Sequence, residues 1–192
     1  MFRIVLASTS PYRRQLLARL RLQFAVVAPD IDETPLQGEA PRATACRLAL
    51  AKARAVAAGD PASLVIGSDQ VADLDGRALS KPGSHAAALD QLRALRGRSV
   101  VFHTAVALVH GDRADVAEVP TSVCFRTLDD ATLERYLHAD TPYDCAGAAR
   151  VESLGIALLE HVRADDPTAL IGLPLICVTR LLADFGVDVL AA

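Results

Sequence analysis

The stretch SLVIGSDQVADLDGRALS, residues 63–80, decides the fold of this 192-residue chain. It begins with an apolar run that is typical of a strand buried on both faces. The dipeptide Asp75-Gly76 then gives the signal of a two-residue hairpin turn. The stretch therefore predicts a buried strand that continues into a hairpin, and it places Asp69 where the wholly apolar part of the strand ends.

Strands and helices alternate on both sides of this stretch. Hydrophobic periodicity predicts further strands at 4–7, 23–28, 99–109, 116–126 and 154–162, and helices at 11–21, 41–58, 84–95, 130–139 and 174–185. Ser10 and Asp129 stand where helix caps are expected, and Gly186 closes the last helix. This order of elements predicts an α/β fold with a mixed sheet.

Composition excludes several classes of protein. A hydrophobic content of 52% is sufficient for a real core, and a net charge of −3 argues against a nucleic-acid or membrane-surface partner. The segment IVLA is too short for a signal peptide, and the run LIGLPLICV is too short to span a bilayer, so we expect a cytoplasmic protein. No metal or disulfide spacing links the cysteines, which are expected to be small buried residues: Cys46, Cys124, Cys145 and Cys177.

The segment LASTSPYRR, residues 6–14, combines two serines and an arginine at the start of a helix. A purely structural interpretation makes Ser10 the N-cap and Pro11 the first helical residue, but it leaves Ser8 and Arg13 unexplained. Helix N–H groups, hydroxyls and a guanidinium together favour phosphate binding.

Lys52 lies in the middle of an apolar helix face. In the helix 41–58 that face is formed by Ala45, Leu48, Ala49 and Val56. Lysine is rarely buried without a partner, so an anionic ligand or an acidic cluster over this face is favoured. The alternative is a packed aliphatic stem whose ammonium reaches the rim.

Acidic residues follow two of the apolar segments. Asp69 is expected at the end of its strand, where ligands of open α/β sheets bind, and a structural cap is the alternative. Asp30, Asp32 and Glu33 form an acidic loop that suits Mg²⁺ or Mn²⁺, unless the loop is simply solvated. Lys81 is followed by Pro82, which holds its backbone in an extended turn. These groups together indicate a phosphorylated ligand and a metal.

Seven blocks resemble the Maf family, in order from Leu6 to about Leu182: LASTSPYRR, DIDETP, RLALAKARAV, VIGSDQV, LSKPG, VCFRTL and PYDCAGAARVESLGIALLE. The resemblance implies a nucleoside triphosphate pyrophosphatase that needs a divalent cation and is usually a homodimer. It also implies one domain over residues 1–192, related to the ITPase fold, with an elongated central sheet flanked by helices and a cleft between two lobes.

The same resemblance implies roles for seven residues. Phosphate is bound by Ser8, Ser10 and Arg13, with Lys52 and Lys81 as further cationic groups of the catalytic site. Asp69 is the proton acceptor for the attacking water, and Glu33 and Asp69 hold the metal. Leaving diphosphate would be stabilised by the cations and the helix N-terminus.

Three positions imply the subfamily that converts 7-methyl-GTP to 7-methyl-GMP and diphosphate. Tyr12, Gln70 and Glu152 stand where relatives acting on dTTP and UTP usually have arginine, threonine and glutamine. The ring of Tyr12 favours a base that is positively charged by methylation at N7, and Glu152 matches the N–H donors of guanine. A pyrophosphatase for UTP, dTTP or modified pyrimidines and a nucleotide-binding regulator of septum formation remain the alternatives.

Some positions depart from the usual family pattern. Ser80 replaces a glycine before Lys-Pro, Ala105 replaces a glycine after Phe-His-Thr, and Ala148-Ala149 replaces a larger pair. These changes concern backbone geometry and pocket shape more than chemistry. His103 and Thr104 are expected near the pocket, with no role assigned to either.

Overall fold

The computed structural model describes residues 2–191. Its elements are β1 (Ile4–Ala7), α1 (Pro11–Ala18), β2 (Phe24–Val27), α2 (Pro41–Ala57), β3 (Leu64–Leu74), β4 (Arg77–Leu79), α3 (His85–Leu95), β5 (Ser99–His110), β6 (Arg113–Phe125), α4 (Asp130–Asp140), β7 (Leu159–Ala164) and α5 (Leu175–Asp184). Within the described range, no helix is both long and apolar enough to cross a membrane.

The strands form one mixed sheet with the order β2-β1-β3-β5-β6-β7, and β4 pairs with β3. β1 is parallel to both β2 and β3, whereas β3, β5, β6 and β7 are successively antiparallel. The predicted α/β fold with a mixed sheet is therefore confirmed.

The hairpin predicted after the central strand is present. Asp75 and Gly76 both have positive φ, at 52° and 82°, as a two-residue turn that matches the strand twist requires. Along the same edge of β3, Ala7 pairs with Gly67 and Leu79 pairs with Ala72. The β3 edge from 68 to 71 therefore lies between the end of β1 and the start of the β4 pairing, and this interruption forms the floor of a cleft.

Buried side chains form cores on both faces of the sheet. Alternate residues of a strand share a face, so Leu64 and Ile66 lie on the same face of β3 as Ala72 and Leu74. The first pair packs with α1 and α5, and the second pair packs with α3 and α4. α2 covers the opposite face. Two packed lobes thus lie along one sheet with the cleft between them, as expected.

Three predicted elements differ from the structure by three or more residues at one end, and one of them is β6, which begins at Arg113 and not at residue 116. The strand predicted at 154–162 is a 3-10 turn, Leu154–Leu158, followed by β7. The backbone N–H groups of Ser153 and Gly155 both donate to the carbonyl of Arg150. Because of this tight turn, the strand begins only at Leu159. The helix predicted at 11–21 ends at Ala18, and Arg21 has a left-handed backbone with φ 57°.

The cysteine prediction was correct in part. All four cysteines are free thiols. Only Cys177 is buried, however, whereas Cys46, Cys124 and Cys145 are half-buried, so the expectation that all four are core residues was wrong.

Gly67 sets the distance between α2 and the sheet. A Cβ atom built on Gly67 would lie 2.3 Å from the carbonyl oxygen of Ala49 and 2.7 Å from the backbone nitrogen of Ala53. Because both atoms belong to the helix backbone, a Gly67→Ala substitution must push α2 away from β3. We expect a loss of about 1–3 kcal/mol of unfolding free energy in urea, which is the usual range for overpacking a core.

Gly59→Ala is the matched control for this substitution. A Cβ atom on Gly59 would be 3.6 Å from the carbonyl oxygen of Val56, an ordinary contact. The control should unfold at the same urea concentration as the wild type. Equal stability of the two alanine variants would contradict the close approach of α2.

Candidate functional site

A cleft of about 570 Å³ opens at the interrupted edge of β3. This volume is within the usual range for a small-molecule site. The ten residues that were given catalytic, phosphate-binding, metal-binding or specificity roles line it: Ser8, Ser10, Tyr12, Arg13, Glu33, Lys52, Asp69, Gln70, Lys81 and Glu152. Asp30, Asp32, His103 and Thr104 do not line it. The structure thus brings together side chains that are as far apart in the sequence as Ser8 and Glu152.

The start of α1 forms one wall of the cleft. Ser10 is the N-cap, and its Oγ accepts the backbone N–H of Arg13 at 3.4 Å, with Pro11 as the first helical residue. The buried Ser8 accepts the backbone N–H of Ser10 through its Oγ at 3.1 Å. Both serines therefore have a structural role in shaping this turn, and both still line the cleft.

The guanidinium of Arg13 is held by a backbone carbonyl. Its Nε donates to the carbonyl oxygen of Gly172 at 2.8 Å, which leaves the other guanidinium nitrogens for a ligand. Burial lowers the pKa of Arg13, while the nearby carboxylates of Asp69 and Glu33 raise it. An arginine stays charged in proteins even so, and the result is a fixed positive charge that faces two acids.

Lys52 is buried between two carboxylates. Its Nζ lies 2.7 Å from Asp69 Oδ1 and 3.0 Å from Glu33 Oε1. Only 6% of the Lys52 side chain and 9% of the Asp69 side chain are exposed. The acidic cluster expected over this helix face is present, and the alternative of a lysine that reaches the rim is wrong.

Asp69 is not at the end of its strand. It lies inside β3, which continues to Leu74, so the expected position was wrong. The strand that ends here is its neighbour β1, whose last residue pairs with Gly67. Asp69 faces the cleft because β1 is shorter than β3.

The two carboxylates suit a hard divalent cation. Lys52 contacts only one oxygen of each, and over residues 2–191 no hydrogen bond is made to Asp69 Oδ2 or Glu33 Oε2. Two such oxygens, completed by phosphate oxygens, fit the ligand preference of Mg²⁺ or Mn²⁺. Asp32 instead accepts the backbone N–H of Thr34 at 2.9 Å, and its hydrogen bonds with Thr34 lower its pKa. Its role is to fix the loop.

Lys81 lies at the exposed rim of the cleft. The backbone around it is tied at two points. Gln91 Nε2 donates to the carbonyl of Ser80 at 2.8 Å, and the N–H of Gly83 donates to the carbonyl of Tyr143 at 2.9 Å. The ammonium is therefore free to reach a ligand while its loop is held against the second lobe.

Tyr12 and Glu152 also line the cleft, together with Asp144. The guanidinium of Arg150 lies 5.9 Å from the centre of the Tyr12 ring. Arg150 also donates to Asp144 Oδ1 at 3.1 Å and to the carbonyl of Asp140 at 3.0 Å. Desolvation raises the pKa values of both Tyr12 and Glu152.

Sequence reasoning did not identify Asp144, which lines the cleft, or Arg150, which lies near the Tyr12 ring without lining the cleft. The signal was present, because Arg150 is a charged residue directly after the run of small residues CAGAA. It also did not identify the turn Ala169–Ile171, which was considered only as an apolar run. Leu170, Ile171 and Gly172 all line the cleft.

Gln70 holds that turn in place. Its Nε2 donates to Thr104 Oγ1 at 2.9 Å and to the carbonyls of Ala169 and Leu170 at 3.0 Å each. Thr104 also donates to Ala169, at 2.9 Å. His103 is not among the lining residues, and its Nδ1 is 2.8 Å from Glu118 Oε1. Gln70 and Thr104 thus fix the cleft wall, and the proposed effect of Gln70 on specificity stays a prediction.

The departures from the family pattern lie in the core or along the cleft, which Ser80 lines. Ala105 is buried in the core beneath α2 and pairs in register with Asp69. Ala148 is buried and has φ 52°, a left-handed conformation that a residue with a side chain rarely adopts. Ala149 lines the cleft. The changes therefore affect the support of the site, and the charged groups are retained.

Cations, hydroxyls and paired carboxylates at the broken edge of a mixed sheet define an α/β protein with a cleft for a phosphorylated ligand. The chain belongs to the Maf family: the family model described as Maf-like protein matches residues 3–185.

Curated relatives match nearly the whole chain. A 7-methyl-GTP pyrophosphatase of Albidiferax ferrireducens is 57% identical over 99% of this chain and 96% of its own length. One of Bordetella pertussis is 56% identical over 97% and 94%. Similarity to a solved dITP/XTP pyrophosphatase of Mycobacterium abscessus is weak, with a TM-score of 0.48 and 19% identity over 96% of this chain and 98% of that chain.

The contribution of the buried Lys52–Asp69 pair can be tested by measuring the unfolding free energy of a variant that lacks the lysine. Lys52→Met removes the positive charge and leaves the buried Asp69 carboxylate without its nearest partner. Breaking a buried pair from one side is strongly destabilising, and we expect a loss of about 3 kcal/mol in urea unfolding.

Arg93→Met is the control for the lysine substitution. Arg93 pairs with Asp130 on the surface, where 45% and 50% of the two side chains are exposed. Surface pairs contribute little, so this variant should unfold like the wild type. If Lys52→Met were as stable as Arg93→Met, Asp69 would not need its cation.

Proposed function

We propose that this protein hydrolyses 7-methyl-GTP to 7-methyl-GMP and diphosphate. The proposal rests on one observation above others, the convergence of Arg13, Lys52, Glu33 and Asp69 on one cleft. The names of relatives more than half identical to this chain support the substrate. The homodimer that the family resemblance implies stays a prediction.

The triphosphate is bound by the α1 wall and the two lysines. Arg13 offers guanidinium donors in a fixed orientation, because its Nε is held by Gly172. Ser8 and Ser10 supply hydroxyls beside it, and Lys81 closes over the phosphates from the rim. Hydrolysis of a phosphoanhydride depends mainly on positioning and on the stabilisation of charge, which these groups provide for the leaving diphosphate.

Asp69 accepts the proton of the attacking water. Its Oδ1 accepts a hydrogen bond from Lys52 at 2.7 Å, which fixes the orientation of the carboxylate. Glu33 and Asp69 are the residues that would hold a divalent cation, which supplies neutralisation of the triphosphate charge when it is bound. Lys52 keeps the two carboxylates together before the substrate arrives.

The methylated base is recognised by Tyr12 and Glu152. Methylation at N7 gives guanine a positive charge, and a cation over an aromatic ring gains about 0.5–2 kcal/mol. The carboxylate of Glu152 accepts the N1–H and amino donors of guanine, a pair that pyrimidines such as uracil lack. The raised pKa of Glu152 reflects the partly desolvated setting in which such hydrogen bonds are strongest.

Asp69→Asn tests both the activity and the proton acceptor. Release of diphosphate should be measured with 7-methyl-GTP, GTP, UTP and dTTP, in Mg²⁺ and in Mn²⁺. The wild type should prefer 7-methyl-GTP, and the variant should lose about 10²–10⁴-fold in kcat, the usual contribution of a general base. Glu160→Gln, an exposed carboxylate on β7, serves as the control and should leave kcat unchanged.

Each other outcome has a definite meaning. A preference for UTP or dTTP would assign the cleft to pyrimidine nucleotides. Tight binding without product would assign it to a regulator. Near-normal kcat in Asp69→Asn would remove the proposed base while leaving the substrate assignment intact.

The pH dependence of KM tests Glu152. As the pH falls through the pKa of this residue, its carboxylate gains a proton and loses one acceptor, so KM for 7-methyl-GTP should rise. Because desolvation raises this pKa, the rise should begin above the range of an ordinary glutamate. Glu152→Gln should raise KM at neutral pH by about 10–100-fold, the cost of a charge-assisted hydrogen bond, and should remove this limb of the profile. An unchanged profile in the variant would exclude Glu152 from base recognition.

A further inference from the structure

Two histidines and a glutamate meet on the second lobe, outside the cleft. His85 is the first residue of α3, and Glu134 and His138 are four residues apart on α4. One ligand atom from each of the three lies within 4.8 Å of the others. None of the three lines the cleft.

The distances favour a shared ligand. His85 Nε2 is 2.6 Å from Glu134 Oε2, and His138 Nε2 is 3.7 Å from the same oxygen. The i, i+4 spacing places Glu134 and His138 on one face of α4, one turn apart. A simple ion pair explains the His85–Glu134 contact. It does not explain the second imidazole, whose ring centre is 4.8 Å from that of His85.

The second ring nitrogen of His85 already has a hydrogen-bond partner. Its Nδ1 lies 3.0 Å from the hydroxyl oxygen of Tyr143. Histidines that bind metals usually direct their second nitrogen to an oxygen in this way, which fixes the ring and selects the nitrogen that faces the ion. Here the arrangement leaves Nε2 facing Glu134 and His138.

We propose that His85, Glu134 and His138 bind one Zn²⁺ ion. Imidazole nitrogens favour zinc over the hard cations Mg²⁺ and Mn²⁺, and two histidines with one carboxylate leave a fourth position for water. Zn²⁺ bound by both side chains would replace the hydrogen bond that joins His85 Nε2 and Glu134 Oε2 at 2.6 Å.

The ion would connect elements that hold the rim of the cleft. His85 stands four residues after Lys81, and the N–H of Gly83 between them donates to the carbonyl of Tyr143. Tyr143 in turn contacts His85 and immediately precedes Asp144 and Cys145, which line the cleft. Zinc at this position therefore joins α3 to α4 and stabilises the loop that carries Lys81. This inference is independent of the proposed hydrolysis.

The test is zinc binding by the full chain, freed of metals and then titrated with Zn²⁺ in saturating Mg²⁺, followed by calorimetry and by thermal unfolding. We expect one zinc site and a higher Tm with Zn²⁺, because an ion that binds only the folded state stabilises it. His138→Gln should weaken binding at least about tenfold and remove the rise in Tm. The side chain of His138 is 75% exposed, so the variant should fold, and circular dichroism checks this.

Two controls locate the ion. His161→Gln changes an exposed histidine on β7 and should leave zinc binding unchanged. Glu33→Gln changes the cleft and should also leave it unchanged. The proposal is wrong if His138→Gln and Glu134→Gln bind Zn²⁺ as the wild type does, or if Glu33→Gln alone lowers the affinity.

Discussion

The buried pair of Lys52 and Asp69 is the interaction on which the cleft depends. Taking an ammonium and a carboxylate out of water costs several kcal/mol for each ion, and only close mutual contact offsets that cost. The contact is possible because α2 lies almost against β3. The helix achieves this with alanines on its inner face, Ala45, Ala49 and Ala53, and with Gly67 opposite them. The alanines therefore allow α2 to pack closely on β3. Because the helix is so near, Lys52 can reach Asp69 on that strand.

The cleft itself is a consequence of unequal strand lengths. β1 has four residues and β3 has eleven, so the parallel pairing stops at Gly67 while β3 continues. The rule that ligands bind beyond the carboxyl ends of parallel strands applies here to β1. Asp69, in the strand that continues, borders the space that β1 leaves. Asp69 was expected at the end of its own strand, but it lines the cleft because β1 ends beside it. Sequence shows where apolar runs stop but not which strands are neighbours.

Local signals were therefore the reliable part of the sequence. The hairpin at Asp75-Gly76 and the caps at Ser10 and Asp129 follow from the preferences of a few adjacent residues, and the structure confirms them. The burial of Lys52 was also predictable, since its position on an apolar helix face depends only on helical periodicity. The 3-10 turn before β7 was not, because it depends on how Arg150 is held, and the partners of Arg150 lie in other segments.

Arg150 also bears on the choice of base. A guanidinium beside the Tyr12 ring would by itself oppose a positively charged purine. Three carboxylates offset its charge, however. The Oδ1 atoms of Asp140 and Asp144 are 3.7 Å and 3.1 Å from the guanidinium of Arg150. The third is Glu152, whose pKa is lowered by Arg150 and raised by the two aspartates. One cation among three carboxylates gives the group of residues near Tyr12 a net negative charge, and in the function proposed above Arg13 and the two lysines bind the phosphates. A nucleotide with a cationic base and an anionic tail matches that division of charge at both ends, and an ordinary nucleotide matches it at only one.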